Sequence, residues 1–214
     1  MSGKLAAWWV LVGAQILLAY TARLSEGKPP ADAVYRYSLA VAGVIQYGLV
    51  LAVCLLIARG QARRLLALQP PRSWRQAGGL ALALLAGIYL LTFALSPFLK
   101  PGEEQGLTPS GWDSSRAGAF AASFAVIVVV GPVVEELMYR GLGYSLLAPA
   151  GKIGAVLVIG LTFGLAHGLV AALPILAAFG AGLALLRAKT RSVYPCILVH
   201  AAFNAIALLA SVAA

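Results

Sequence analysis

A chain of 214 residues that is 61% hydrophobic and 11% charged, with a mean hydropathy of +0.90, excludes a soluble globular domain. Its two cysteines, Cys54 and Cys196, both fall in apolar runs, read as small core residues and imply no disulfide framework. The net charge of +9 would suit a nucleic-acid partner, but its distribution along the chain gives it another origin.

A membrane span needs about 20 apolar residues. Seven runs approach or exceed this: 5–22, 37–58, 78–98, 117–147, 153–171, 172–187 and 193–213. They predict an all-α polytopic membrane protein of about seven transmembrane helices forming one domain over 1–214, without linker or internal repeat. The first run is flanked only by Lys4, and no small-residue cleavage pattern follows Tyr20, so it reads as a retained helix. Trp8, Trp9, Trp74 and Tyr194 sit near span ends, as in an aromatic belt. Residues 61–69 read equally as a short interfacial helix or as a plain basic loop. The fourth run is too long for one straight span, and Gly131-Pro132 is expected to kink it. Gly160, Gly164 and Gly168 form a four-residue ladder that would let another helix approach the fifth span closely.

The connection 59–76 holds Arg59, Arg63, Arg64, Arg72 and Arg75 without an acid; Lys189 and Arg191 form a second acid-free basic loop. Five acids (Glu26, Asp32, Glu103, Glu104 and Asp113) lie in the connections 23–36 and 99–116. Placing 59–76 in the cytoplasm puts Lys4, that cluster, Arg140, Lys152, Arg187, Lys189 and Arg191 inside, eleven of the 16 bases. The two basic loops agree on this orientation independently. The amino terminus is therefore expected in the cytoplasm and the carboxyl terminus outside. The basicity is topological, the partner it implies is the lipid bilayer, and no nucleic acid is implied.

The remaining two acids, Glu135 and Glu136, lie inside the fourth run, as do both histidines of the protein, His167 and His200, inside later ones. Ionisable groups in hydrocarbon cost several kcal/mol and persist where they pair or work. Glu136 and Arg140 are four apart on one helical face, acid first, which gives Glu136 an internal counter-ion. Glu135 points about 100° away and has no local partner, which makes it the candidate general base. Phe163 precedes His167 by one turn and can restrict its ring. His200 and Asn204 share a face past Ala201 and Ala202, a pair of donors suited to an oxyanion hole. Each group also has a bland reading as a helix-to-helix hydrogen bond. At 1.5 Å per residue, Glu135, His167, His200 and Asn204 lie roughly 18, 21, 10 and 17 Å from the cytoplasmic ends of their spans. The four are thus expected to ring one central polar cavity.

Glu-Glu-x-x-x-Arg at 135–140, Phe-x-x-x-His at 163–167 and His-x-x-x-Asn at 200–204, in that order, resemble the signature of the CPBP (CaaX protease and bacteriocin-processing) intramembrane endopeptidases. The resemblance covers about 117–213, a catalytic core, and leaves three accessory spans in 1–98. It implies that Glu135 and His167 activate a water for attack on a peptide carbonyl. It further implies that His200 and Asn204 hold the oxyanion, that Glu136 and Arg140 support the site, and that no cofactor is needed. The implied partner is a membrane-embedded or lipidated peptide or protein, and the compact loops are compatible with a prokaryotic cytoplasmic membrane. Family substrates range from prenylated carboxyl termini to small peptides and sorting tails, and no residue here selects among them.

Other chemistries use some of the same residues. Glu135, His167 and His200 could supply three zinc ligands, although no His-Glu-x-x-His motif is present. Cys196, His200 and Asn204 share a helix face, but a linear stack is a poor nucleophilic triad. A transporter would be expected to show inverted repeats, which are lacking. A non-hydrolytic scaffold or immunity protein would keep the fold and use none of the chemistry.

Overall fold

The computed structural model describes residues 3–26, 30–99, 109 and 111–213. Lys28, Lys100, Glu103 and Glu104 lie outside the described residues, as does the side chain of Glu26. Among the described residues the chain is helical and contains no strand. Helix α1 spans Gly3–Glu26, α2 Tyr37–Ala58, the short α3 Ala62–Leu65 and α4 Trp74–Leu99. Helix α5 runs without a break over Ser114–Ala150 and is followed by α6 (Lys152–Leu165), α7 (Leu173–Thr190) and α8 (Tyr194–Ala213). Six of these, all but α3 and α6, are long and apolar enough to cross a membrane, and α6 is a shorter apolar helix. The all-helical membrane architecture is the expected one. The fifth run differs: its helix ends at Leu165, and His167 lies in the turn beyond.

The breaks follow from local chemistry. Gly151 (φ +151°) separates α5 from α6. Gly168 (φ +66°) turns the chain after α6, and Pro174 opens α7 in its first turn. Arg191 closes α7 in the left-handed conformation (φ 58°), its N–H bonded to the Arg187 carbonyl. The Lys4 ammonium donates to the Ile57 and Arg59 carbonyls (2.8 and 2.9 Å), so a cation of α1 satisfies the end of α2.

Helix α5 is the centre, contacting α1, α2, α6, α7 and α8, while α4 packs outside on α7 and α8. Trp8, Met138, Leu142, Ile159, Phe163, Phe179 and Leu183 are fully buried around it. Leu56, Leu82, Leu90, Phe93 and Phe98 remain exposed, as a lipid-facing surface requires. Gly160 and Gly164 bring α6 onto α7: a Cβ at Gly160 would stand 2.7 Å from the Ala177 carbonyl oxygen, and one at Gly164 3.0 Å from the Ala177 nitrogen. Gly168 leaves the predicted ladder because its left-handed turn carries it to Ala19 of α1.

Gly131-Pro132 does not break α5. Instead the helix widens into π turns over Ala125–Val130 and Leu137–Gly143, on either side of Gly131–Glu136. In each widened stretch a backbone carbonyl accepts from another helix. Asn204 Nδ2 donates to Ile127 (2.9 Å), and Trp8 Nε1 donates to Met138 (3.1 Å). Trp8 is therefore wholly buried rather than part of an aromatic belt, while Trp74 and Tyr194 keep exposed surface.

Residues 61–69 are neither an interfacial helix nor a free loop. Leu65, Leu66 and Ala67 are buried beneath α5, where a Cβ at Gly141 would come within 2.9 Å of the Leu66 backbone. The segment is fastened there by Val193 N–H to the Ala67 carbonyl and by Gln69 Nε2 to the Arg191 carbonyl (3.3 and 2.6 Å). Burying three apolar residues outweighs the pull of the flanking arginines toward lipid headgroups. Arg140 and Arg187, counted among the cytoplasmic bases, are also buried. Arg187 lies over the Tyr144 ring (5.5 Å) with Nη2 3.5 Å from Ser145 Oγ.

Candidate active site

Glu135 and Glu136 leave the middle of α5 in different directions, as helical spacing requires. Glu136 is fully buried and its Oε1 accepts from Arg140 Nη1 at 2.7 Å. The same oxygen lies 2.9 Å from His200 Nδ1. Arg140, also fully buried, donates from Nη2 to the Gly180 carbonyl at 3.0 Å and lies over the Phe163 ring at 4.3 Å. One i,i+4 pair thus extends into a knot joining α5, α7 and α8. The pair is tolerated in the apolar interior because nearly every charge meets a partner. Glu136 Oε2 and Arg140 Nε are the atoms of the pair left without one among the described residues.

Glu135 sits in other surroundings than Glu136. Its side chain is 19% exposed, so it is not closed off. It also has a partner, supplied by a distant element: Tyr47 of α2 donates its hydroxyl to Oε1 at 2.7 Å. The other oxygen, Oε2, lies 3.8 Å from His200 Nε2. His200 is therefore bracketed by both carboxylates, one at each ring nitrogen. A carboxylate beside Nδ1 fixes a hydrogen there and sets the ring orientation.

His167 is held differently. Its Nδ1 lies 2.7 Å from the Phe163 carbonyl, and since a carbonyl only accepts, Nδ1 carries the hydrogen. In the neutral ring, Nε2 is then the free acceptor. The side chain is exposed. Phe163, fully buried, meets both histidines, with ring centroids 4.7 Å from His167 and 5.6 Å from His200. The aromatic restraint expected for His167 thus serves the two rings at once. Asn204 is half-buried, with one amide hydrogen on the Ile127 carbonyl.

Geometry brings Glu135, Glu136, Arg140 and His200 into one connected group, with Phe163 bridging to His167. Among the described residues no three His, Cys, Asp or Glu side chains are grouped to hold a metal, so the zinc alternative finds no ligand set there. Cys196 is buried and directs its thiol to the Leu183 carbonyl (3.4 Å) rather than toward a nucleophilic role.

Sequence reasoning missed Tyr47 and Phe179. Phe179 packs edge-on against His200 with centroids 5.6 Å apart. Its spacing is that of any core aromatic, which carries no signal. Tyr47 had a faint one: Gln46-Tyr47 is a polar step in the middle of an apolar span.

The family model described as Type II CAAX prenyl endopeptidase Rce1-like matches residues 117–206. Over those residues the chain is similar to that family. The Rce1-like stretch reaches from the start of α5 to the middle of α8, takes in all three motifs, and is somewhat under half of the chain. It is the CaaX-protease family that the motifs resemble. No curated protein and no solved structure matches the chain.

Proposed function

We propose that this protein is a multi-pass intramembrane endopeptidase that hydrolyses a peptide bond of a membrane-embedded or lipidated substrate, using water activated by Glu135. The observation that carries this reading is the contrast within one helical turn. Glu136 is dry and paired, whereas Glu135 is partly open and turns Oε2 toward a histidine. The Rce1-like match supports a peptidase of the CaaX type.

In this reaction Glu135 accepts a proton from water, and the resulting hydroxide forms a bond to the peptide carbonyl carbon. The carbonyl electron pair moves onto oxygen. When the tetrahedral species collapses, the C–N bond breaks and the proton held by Glu135 passes to the departing amine. His167, with its hydrogen committed to the Phe163 carbonyl, offers Nε2 as a second acceptor that orients the water. For His200 to donate to the oxyanion from Nε2 its ring carries both hydrogens, and Glu136 beside Nδ1 supplies the counter-charge. Asn204 contributes the amide hydrogen that Ile127 does not use. Glu136, itself held by Arg140, keeps His200 in place.

The orientation that accompanies this proposal has the amino terminus inside and the site in the cytoplasmic half of a prokaryotic membrane. Terminal-peptide mass spectrometry of membranes containing wild-type protein or Glu135→Gln tests both parts. Peptide termini present only with the wild type, on membrane-associated chains, are expected, and their positions give the side of cleavage. Glu135→Gln should insert and fold normally. A Glu135→Gln protein that generates the same termini would sink the mechanism, and activity abolished by chelators and restored by zinc would replace it with a metal-dependent one.

A further inference from the structure

The feature that extends furthest beyond the motifs is the seat of Tyr47. Helix α2 lies outside the Rce1-like residues, yet it lays a phenol against the reactive carboxylate. The ring passes directly over α5 at Gly131, one turn before Glu135. A Cβ added there would stand 2.9 Å from the Tyr47 hydroxyl oxygen, 3.0 Å from Cζ and 3.2 Å from Cε2. A side chain at that level would displace the ring. The same approach of α2 to α5 is kept close at Gly43, where a Cβ would meet Val126 Cγ1 at 2.6 Å, and at Gly118, where it would meet the Tyr37 hydroxyl at 2.6 Å. Three glycines along one contact hold two helices at a spacing that fixes where the phenol can reach.

The consequence lies in the two carboxylate oxygens. Oε1 is taken by the phenol at 2.7 Å, and Oε2 is turned toward His200 Nε2 at 3.8 Å. We infer that Tyr47, seated by Gly131, is a positioning residue that holds Oε1 of Glu135 and makes Oε2 the oxygen that exchanges the proton with water. This rests on the peptidase reading. A plain helix-to-helix hydrogen bond in a membrane contributes modestly to association and would hold α2 without directing chemistry. A neutral donor on a charged acceptor, oriented by a backbone seat, does more: it removes one of two equivalent oxygens from competition.

The test uses full-length protein in proteoliposomes and a quenched-fluorescent peptide copying the segment cut by the wild type. Tyr47→Phe is expected to lower kcat about 10- to 100-fold while KM stays within twofold, because the phenol touches the carboxylate and not the substrate. Gly131→Ala should lower kcat similarly by displacing the ring, and the double variant should lose little more than either single one. Gln46→Ala, on the neighbouring exposed position, should match the wild type. Infrared spectra supply a readout that packing alone would not move. The carboxylate band missing from Glu135→Gln should shift in Tyr47→Phe and Gly131→Ala and stay in place in Gln46→Ala. A Tyr47→Phe protein with kcat within twofold of the wild type, or with reduced kcat and an unmoved band, overturns the inference and leaves the peptidase reading standing. A wild type that cuts nothing overturns both.

Discussion

The molecule contains two clusters built from the same charges in opposite surroundings. At the outer connections Asp32 binds Arg36 and Arg116 (2.7 and 3.0 Å), and Asp113 accepts from Arg116 Nε (2.6 Å) and from Ser115. All of these side chains are a third to a half exposed. In the centre of α5, Glu136 and Arg140 make one ion pair with no exposure at all. The outer cluster is geometrically the richer, and the inner pair is energetically the more consequential. Water screens the first and shares its partners, whereas the second has no substitute for a lost partner. Tyr35 makes the point again, since it ties the outer loops by bonding to the Gly111 carbonyl and the Asp113 N–H. That cluster is an architectural clasp, while the inner group combines structure with the chemistry proposed for it.

The contrast breaks most readily at Arg140. Arg140→Leu leaves Glu136 buried without its cation and should cost about 3–5 kcal/mol, seen as a large drop in unfolding temperature in detergent micelles. Replacing both members, with Glu136→Met added, should recover much of that loss in stability without restoring cleavage. Next comes Gly160→Leu, which forces α6 off the Ala177 backbone; thermal unfolding should register a destabilisation of about 1–3 kcal/mol.

Smaller effects belong to the outer cluster. Its acids titrate in a definite direction. The Ser115 hydroxyl and N–H, together with Arg116, hold Asp113 down to about 2. Arg36 and then Arg116 keep Asp32 below its usual range. A carboxyl lowered in the folded state stabilises it above the unfolded value near 3.9, and that contribution disappears as pH falls through about 2. Asp113→Asn should therefore flatten the dependence of stability on pH between about 4 and 2 and change little at pH 7. The mildest effect is expected for Arg116→Gln at neutral pH and 0.5 M salt, where unfolding temperature should stay near that of the wild type. A large drop there would erase the distinction between the clusters.

Most of the spans, the Glu136–Arg140 pair and the approach of Phe163 to His167 were legible in the sequence from helical periodicity, although the fifth run's helix ends short of His167. What the sequence concealed depends on which helix meets which. Tyr47 and Glu135 are 88 residues apart, and no periodic pattern links them. The burial of Trp8 follows from an acceptor at Met138 that exists only where α5 widens. The ladder at Gly160 and Gly164 was readable, but its third member was not, since α6 ends before Gly168.

The two widened stretches of α5 act on angular phase. A π turn takes up roughly one more residue than an α turn, which amounts to about 100° around the axis. The face that α5 presents at Phe120 is thus out of phase with the face it presents at Glu135, and again with that at Tyr144. A wheel drawn from one end of the helix misassigns the other end. Deleting one residue within Ala125–Val130 would restore the shorter turn and rotate one part of α5 relative to the other. Glu135 would then swing from Tyr47 and His200, or Phe120 from the packing of the outer loops. Such a deletion replaces none of the proposed catalytic side chains and should still disable cleavage, which makes helix phase, as much as residue identity, a heritable property of the proposed active centre.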